Sequence, residues 1–264
     1  MRFRRSKIKR INNEKGTMLL TKQIITGDDA LKALDAGTEE QVRNEFTRLK
    51  SGGKFVVKVP GINVISAYVY GNFENPRIYS FVAEKESDKS DKGFPIDNLT
   101  PFDRAYKYFK EQSVDWQDEM SAKANVYKAD QKFTFGFYNL DTGDPISVEF
   151  TKPQAQVIRD AIVKNSKYLD KFAFELTKTG SGRNTVVGLT LIPMLDDLTD
   201  KQRENFDKLP NTFDSKNFEN LYYIMSEEEQ IKKLIEVGFD IKLIGLEAPA
   251  SDESNEISDE EVPF

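Results

Sequence analysis

The sequence predicts a β-rich α+β fold, a small barrel-like core with helical insertions and disordered charged termini. Three observations carry that expectation. Short runs rich in Val, Ile, Tyr and Phe recur between Lys54 and Ile192, separated by Gly- and Pro-containing breaks. A capped amphipathic segment sits between two pairs of such runs. Charge is segregated to the two ends, which differ in sign.

The first ten residues, MRFRRSKIKR, carry six positive charges and no negative one. Residues 1–16 read as a flexible basic arm, either a solvated terminus or an arm that touches phosphates or protein. Within the N-terminal segment 17–51, TEEQVRNEFTRLK (38–50) reads as a helix. Thr38 and Gln41 would form a capping box, and Val42, Phe46 and Leu49 fall on one stripe. Ser51-Gly52-Gly53 ends it.

The core is assigned to residues 52–195. KFVVKV (54–59), INVISAYVYG (62–71) and RIYSFVA (77–83) read as strands, broken by Pro60-Gly61 and Asn75-Pro76. In the second, alternation puts Ile62, Val64, Ser66, Tyr68 and Tyr70 on one face and Ile65, Ala67 and Val69 on the other. Residues 84–100 are charged and read as an exposed loop. A helix follows over PFDRAYKYFKEQ (101–112), with Phe102, Tyr106 and Phe109 on its stripe, so an insert spans about 84–120. QKFTFGFYN (131–139) and PISVEF (145–150) form a hairpin through Leu140–Asp144. Thr151 caps a helix to about Asn165, with Pro153 in its first turn. KFAFELTKT (171–179) and NTVVGLTLI (184–192) complete the set. Residues 196–245 read as a C-terminal segment with helices near 198–207 and 226–237, and 246–264 as a disordered acidic tail. Three strands, an insert, two strands, a helix and two strands fit a small closed barrel with embellishments, of which the five-stranded OB type is the best-known example.

Composition removes whole classes of chemistry. The chain of 264 residues has no Cys and no His, so disulfides, thiolate metal sites and His-based catalysis are excluded. GSGRNT lacks the Gly-Lys-Ser/Thr ending of a phosphate-binding loop, and Asp196/Asp197 read as helix-capping acids rather than metal ligands. No catalytic, metal or cofactor site is expected. With no apolar run long enough to span a bilayer and no signal peptide, a cytoplasmic protein is expected.

Thirty aromatic residues, several interleaved with cations, suit a different role, in which rings stack on bases while cations neutralise phosphates. The candidates are Lys54, Tyr68, Tyr70, Arg77, Tyr79, Tyr127, Lys128, Lys132, Tyr138, Lys178 and Arg183. On residues 131–139, Phe133, Phe135 and Phe137 would face the core, leaving Lys132, Thr134, Gly136 and Tyr138 on the face open to a strand. Residues 151–190 add an excess of four positive charges, with Lys178 and Arg183 flanking a Gly-rich turn.

The final stretch, SDESNEISDEEVPF (251–264), holds six carboxylates and no cation, which accounts for the whole formal net charge of −6. An acidic run alone reads as a solubilising tail. Its DEEVPF ending resembles the acidic C-terminal tip of single-stranded DNA-binding proteins. FRRSK at residues 3–7 is similar to the basic, Ser-containing N-terminal motif of the T-even-phage type. That resemblance implies cooperative binding through an arm at Arg2, Arg4, Arg5 and Lys7. It also implies recruitment of replication, recombination and repair proteins by Asp259, Glu260, Glu261, Val262, Pro263 and Phe264. The T-even type carries a Cys/His zinc site that this chain has no ligands to build, so the similarity is to a zinc-free relative. The expected partner is single-stranded DNA, with possible self-association on it, in the host cytoplasm if the chain is phage-encoded. The alternative is a non-enzymatic adaptor or assembly factor whose oppositely charged termini pair between subunits.

Overall fold

The computed structural model describes residues 44–71 and 77–249. In chain order the strands are β1 (Lys54–Lys58), β2 (Val64–Tyr70), β3 (Phe81–Ala83), β4 (Asp88–Lys89), β5 (Pro95–Asp97), β6 (Asp130–Asn139), β7 (Pro145–Thr151), β8 (Phe174–Thr179), β9 (Val186–Leu191) and β10 (Ile224–Met225). The α-helices are α1 (Pro101–Gln112), α2 (Glu119–Tyr127), α3 (Lys152–Lys164), α4 (Asp200–Lys208) and α5 (Glu227–Glu236).

The sheet is organised around β6. Its residues 132–138 pair β7 along one side; the other side is shared end to end by β2 (Val64↔Phe135 to Val69↔Asp130) and β1 (Val57↔Asn139, Lys58↔Tyr138). β1 and β2 are therefore two halves of one bent run. Pro60 has no N–H to give a ladder, and Gly61 takes a φ of 108° that a side chain would oppose. The Asn63 carbonyl closes the bend by accepting the Gly136 N–H at 3.0 Å. Beyond the bend the sheet branches. β1 continues to β8 and β9, whereas β2 continues to β3 and the parallel β10.

Each branch has its own apolar centre. On the first, Phe137, Phe174, Leu176 and Val57 meet Ile158 and Ile162 of α3, all at most 1% exposed. α3 is placed by the hairpin before it: Thr151 ends β7 and donates its N–H to the Gln154 carboxamide at 3.1 Å. On the second, Tyr70, Phe81 and Phe102 pack ring to ring at 5.0–5.7 Å under α1, joined by Leu234 of α5 and by Phe239. A third, smaller group under α4 holds Leu140, Ala173, Leu198 and Phe206. There the buried Lys58 ammonium donates to the carbonyls of Phe206 (2.8 Å) and Leu209 (2.6 Å), answering orphan carbonyls at the end of α4. Desolvation pulls its pKa below the ordinary lysine value.

Several expectations require correction. The sheet is mixed α+β and strand-rich, but among the described residues it does not close: β9 pairs only β8, and β10 pairs only β3. Residues 38–43 lie outside the described residues, and 44–50 are not helical. Tertiary pairing overrides the stripe there. Phe46 bridges Ser147 and packs edge-on against Tyr222 at 4.9 Å, while Asn44 donates to the carbonyls of Lys216 and Glu219. The 84–100 loop contains the β4–β5 hairpin, and α2, which ends at Tyr127, is a helix not expected from the sequence.

Candidate nucleic-acid interface

A strand presents alternate residues to opposite sides, so β6 offers two possible working surfaces. The pleat expected to be open is covered. Thr134 is fully buried and Tyr138 is 6% exposed. Gly136 lies so close beneath Phe213 that a Cβ would stand 2.4 Å from its ring. The cover is the segment 209–223. Tyr138 donates its hydroxyl to the Thr212 carbonyl at 2.9 Å, and its ring lies 5.5 Å from that of Phe213. Tyr222 donates to the Glu149 carboxylate (3.2 Å), which leaves the Thr134 hydroxyl to donate to the Tyr222 oxygen (2.9 Å). Burial pushes the Tyr222 phenol above its ordinary pKa.

The opposite pleat is open at its β2 end. Ile62, Val64 and Ser66 are exposed and Tyr68 is half-buried. The register sets Ser66 against Phe133 and Tyr68 against Gln131. One side is walled by the β4–β5 hairpin through Lys92 and Gly93. The other is walled by the first turns of α3 through Lys152, Ala155, Gln156 and Arg159. The result is two adjoining depressions that share Lys152, of about 270 Å³ around Tyr68 and about 290 Å³ over Ile62, Val64 and Phe133.

The first depression is strongly cationic. Lys92, Lys128, Lys132 and Lys152 line it, against the single carboxylate of Asp130. Lys128 reaches that carboxylate at 3.5 Å and lies 5.5 Å above the Phe94 ring. Lys132 belongs to the covered pleat, but it pairs with Thr151, the last residue of β7, and so sits at the end of the sheet. The second depression is apolar on its floor, with Lys152 and Arg159 on its rim. Past the bend, a further cavity of about 600 Å³ begins at Val59–Gly61 and is lined by Lys167 and Lys171.

Of the expected site residues, this groove gathers Tyr68, Lys128 and Lys132. Tyr70 is not on the surface: it is 1% exposed and donates to Asp103 at 2.8 Å. Tyr127 packs among Phe102, Phe109 and Phe239, so its ring belongs to the helical core. Tyr138 is covered as described. Lys54 is exposed but holds Glu175 at 2.7 Å across β1 and β8. Arg77 and Tyr79 are exposed just before β3, with the Lys233 ammonium 4.6 Å above the Tyr79 ring. Lys178 lines a separate cavity of about 400 Å³ with Phe46 and Tyr222, and Arg183 lies in the short 3-10 turn Gly182–Asn184. The arm residues Arg2, Arg4, Arg5 and Lys7 and the tip residues Asp259–Phe264 lie outside the described residues.

Lys92, Lys152, Arg159, Ile62, Val64 and Phe133 were missed as site residues. Lys152 could have been found from the hairpin alone: a turn that pairs Tyr138 with Pro145 brings Thr151 opposite Lys132, which puts the next residue beside it. Among the described residues, no group of three or more His, Cys, Asp or Glu is arranged to hold a metal, and no helix is long and apolar enough to cross a membrane. No family model, curated protein or solved structure matches the chain.

Proposed function

We propose that this chain binds single-stranded DNA, without reading its sequence, in the groove between β2/β6, the β4–β5 hairpin and the start of α3. The observation that carries the reading is the grouping of Lys92, Lys128, Lys132 and Lys152 around Tyr68, next to an apolar floor of Ile62, Val64 and Phe133. Lysines neutralise phosphates as flexible point charges, and rings and apolar floors accept base faces that only an unpaired strand exposes. Stacking on rings and apolar floors is tolerant of sequence because every base has a π-face. A bent strand shared by two sheet branches, with a helix across one end, supports an open OB-like arrangement around the bound strand.

The acidic run from Asp252 to Glu261 competes with DNA for the same cations, and Val262-Pro263-Phe264 is the anchor offered to replication and recombination proteins. The preference for DNA comes from the resemblance of the DEEVPF and FRRSK stretches.

The test is a titration of labelled oligo(dT) into the protein at two salt concentrations, followed by anisotropy, with duplex DNA as the control. The label is needed because Trp116 lies in the α1–α2 loop, 71% exposed and outside the groove lining, so its emission does not report on the site. Binding selective for the single strand, weaker at high salt, and tighter once residues 251–264 are deleted supports the reading. Absence of binding at low salt by both the full-length and the tail-deleted protein overturns it.

A further inference from the structure

Asp103 is the most deeply buried carboxylate of the helical branch, and the groove lining does not include it. It sits in the first turn of α1, fully buried, where Thr100 caps its N–H at 3.0 Å. Its Oδ2 accepts from the Tyr70 hydroxyl (2.8 Å), from the Lys89 ammonium (2.9 Å) and from the Ser87 hydroxyl, while Oδ1 has no partner. The side chains of Lys89 and Asp103 are 7% and 1% exposed. A pair this dry is weak evidence for stability, because desolvating two charges costs much of what their attraction returns. What it does supply is a fixed geometry.

That geometry leads to the groove. Lys89 belongs to β4, so the pair ties the β4–β5 hairpin to α1 at the point where the hairpin begins its turn toward Lys92 and Gly93. The same ammonium lies 5.3 Å from the ring centre of Tyr68 and 5.6 Å from that of Tyr70. Cation–π attraction therefore helps to hold the Tyr68 ring. Gly93 completes the seat: a Cβ there would stand 3.4 Å from Tyr68 Cε1 and 3.5 Å from its hydroxyl oxygen, so the hairpin backbone borders the hydroxyl end of the ring.

We propose that Lys89 and Asp103 are positioning residues, a buried latch that fixes the hairpin wall and sets the plane of Tyr68 before any strand arrives. This rests on the single-strand reading of the groove. A latch of this kind raises affinity by removing the cost of ordering a wall and a ring on binding. Being buried, Lys89 makes no phosphate contact of its own.

The test compares wild type with Lys89→Met/Asp103→Asn, which removes both charges together and keeps a partner for Tyr70. Oligo(dT) carrying 5-iododeoxyuridine supplies two readouts: affinity against salt, and the aromatic residue to which the strand photocross-links. The expected result is about tenfold weaker binding with an unchanged salt slope, whereas Lys132→Gln lowers the slope by about one. At saturation the cross-link to Tyr68 is lost while the one to Phe133 persists, which a general loss of stability would not produce. Wild-type affinity with the Tyr68 cross-link intact overturns the latch. If the double variant does not fold, Ser87→Ala carries the test, with a loss of about threefold and a weakened Tyr68 cross-link expected, and wild-type values overturning it. Failure of the wild-type protein to bind or cross-link at all would instead overturn the single-strand reading beneath it.

Discussion

The two pleats of β6 share one strand and have opposite fates. Thr134, Gly136 and Tyr138 lie beneath the 209–223 segment, sealed by Phe213 and by the hydroxyls of Tyr138 and Tyr222. On the other pleat Phe137 and Phe135 enter the core under α3, but Phe133 remains half-exposed, with Ile62 and Val64 open across from it. Both pleats carry aromatic and β-branched bulk. The difference is what arrives from elsewhere in the chain. A segment more than 70 residues downstream closes one pleat, while α3 and the β4–β5 hairpin stop short of closing the other and leave lysines at its border. Composition of a strand therefore does not tell a core face from a working face. Coverage does.

The largest effect that would break this comparison is on the sealed side. Gly136→Val places side-chain atoms where the Phe213 ring already lies, and a planar ring held against Tyr138 and Phe218 has little room to retreat. We expect a loss of about 1–3 kcal/mol in urea-induced unfolding, the usual cost of overpacking. The folded variant should keep its oligo(dT) affinity to within about twofold, because the groove is on the other pleat and distant sites act independently. A variant of wild-type stability would mean that the 209–223 segment does not sit on the sheet as described. A stable variant with lost affinity would mean that the sealed pleat is the working one.

Most of the fold was legible in the sequence, and the reason is local. The α1 span 101–112 follows from Thr100 before Pro101 and from the Phe102/Tyr106 stripe; the β6–β7 hairpin and α3 follow from a turn signal and a cap at fixed offsets. The candidate site was legible only in part, for the same reason. Alternation correctly separated Phe135 and Phe137 from Tyr138, but the choice of which set to leave open depended on Thr212 and Tyr222, whose hydrogen bonds cross 74 and 88 residues. The error over 44–50 has the same origin, since Phe46 follows Ser147 and Tyr222 rather than its own stripe. Tyr70 is the converse case: it shares a pleat with Tyr68 but runs past the groove into the core around Asp103.

The next effect sharpens the open side. Tyr68→Ala removes the one tyrosine in the groove lining, and base–aromatic stacking is worth roughly 1–3 kcal/mol per base. Weaker oligo(dT) binding of that order, with an unchanged salt slope, is the expected outcome. Lys152→Gln is the complement: a loss of a few fold, and a slope smaller by about one, since it removes one phosphate partner and no ring. The two variants therefore separate along different axes of the same titration. If both move the slope, or neither changes affinity, Tyr68 and Lys152 do not meet a strand as base and phosphate contacts.

The smallest effect at neutral pH comes from the hydroxyls that fasten the cover. Burial raises the phenols of Tyr138 and Tyr222 above their ordinary value, and Tyr70 in the other branch likewise. Below about pH 10 the folded and unfolded chains both keep these protons, so the hydroxyls contribute their full stabilisation. As pH rises past that point the unfolded chain releases its protons first. It then binds fewer than the folded chain, and stability falls with increasing pH. The melting temperature should therefore be insensitive to these groups around neutrality and drop progressively above about pH 10. Tyr138→Phe should shrink that drop, because one of the groups withheld from ionisation is gone, at the cost of leaving the Thr212 carbonyl without its donor. A drop of the same size in that variant would mean that the Tyr138 hydroxyl is free to ionise in the folded protein. The seal over the second pleat would then be apolar, carried by Phe213 against Gly136 rather than by the tyrosine hydrogen bond.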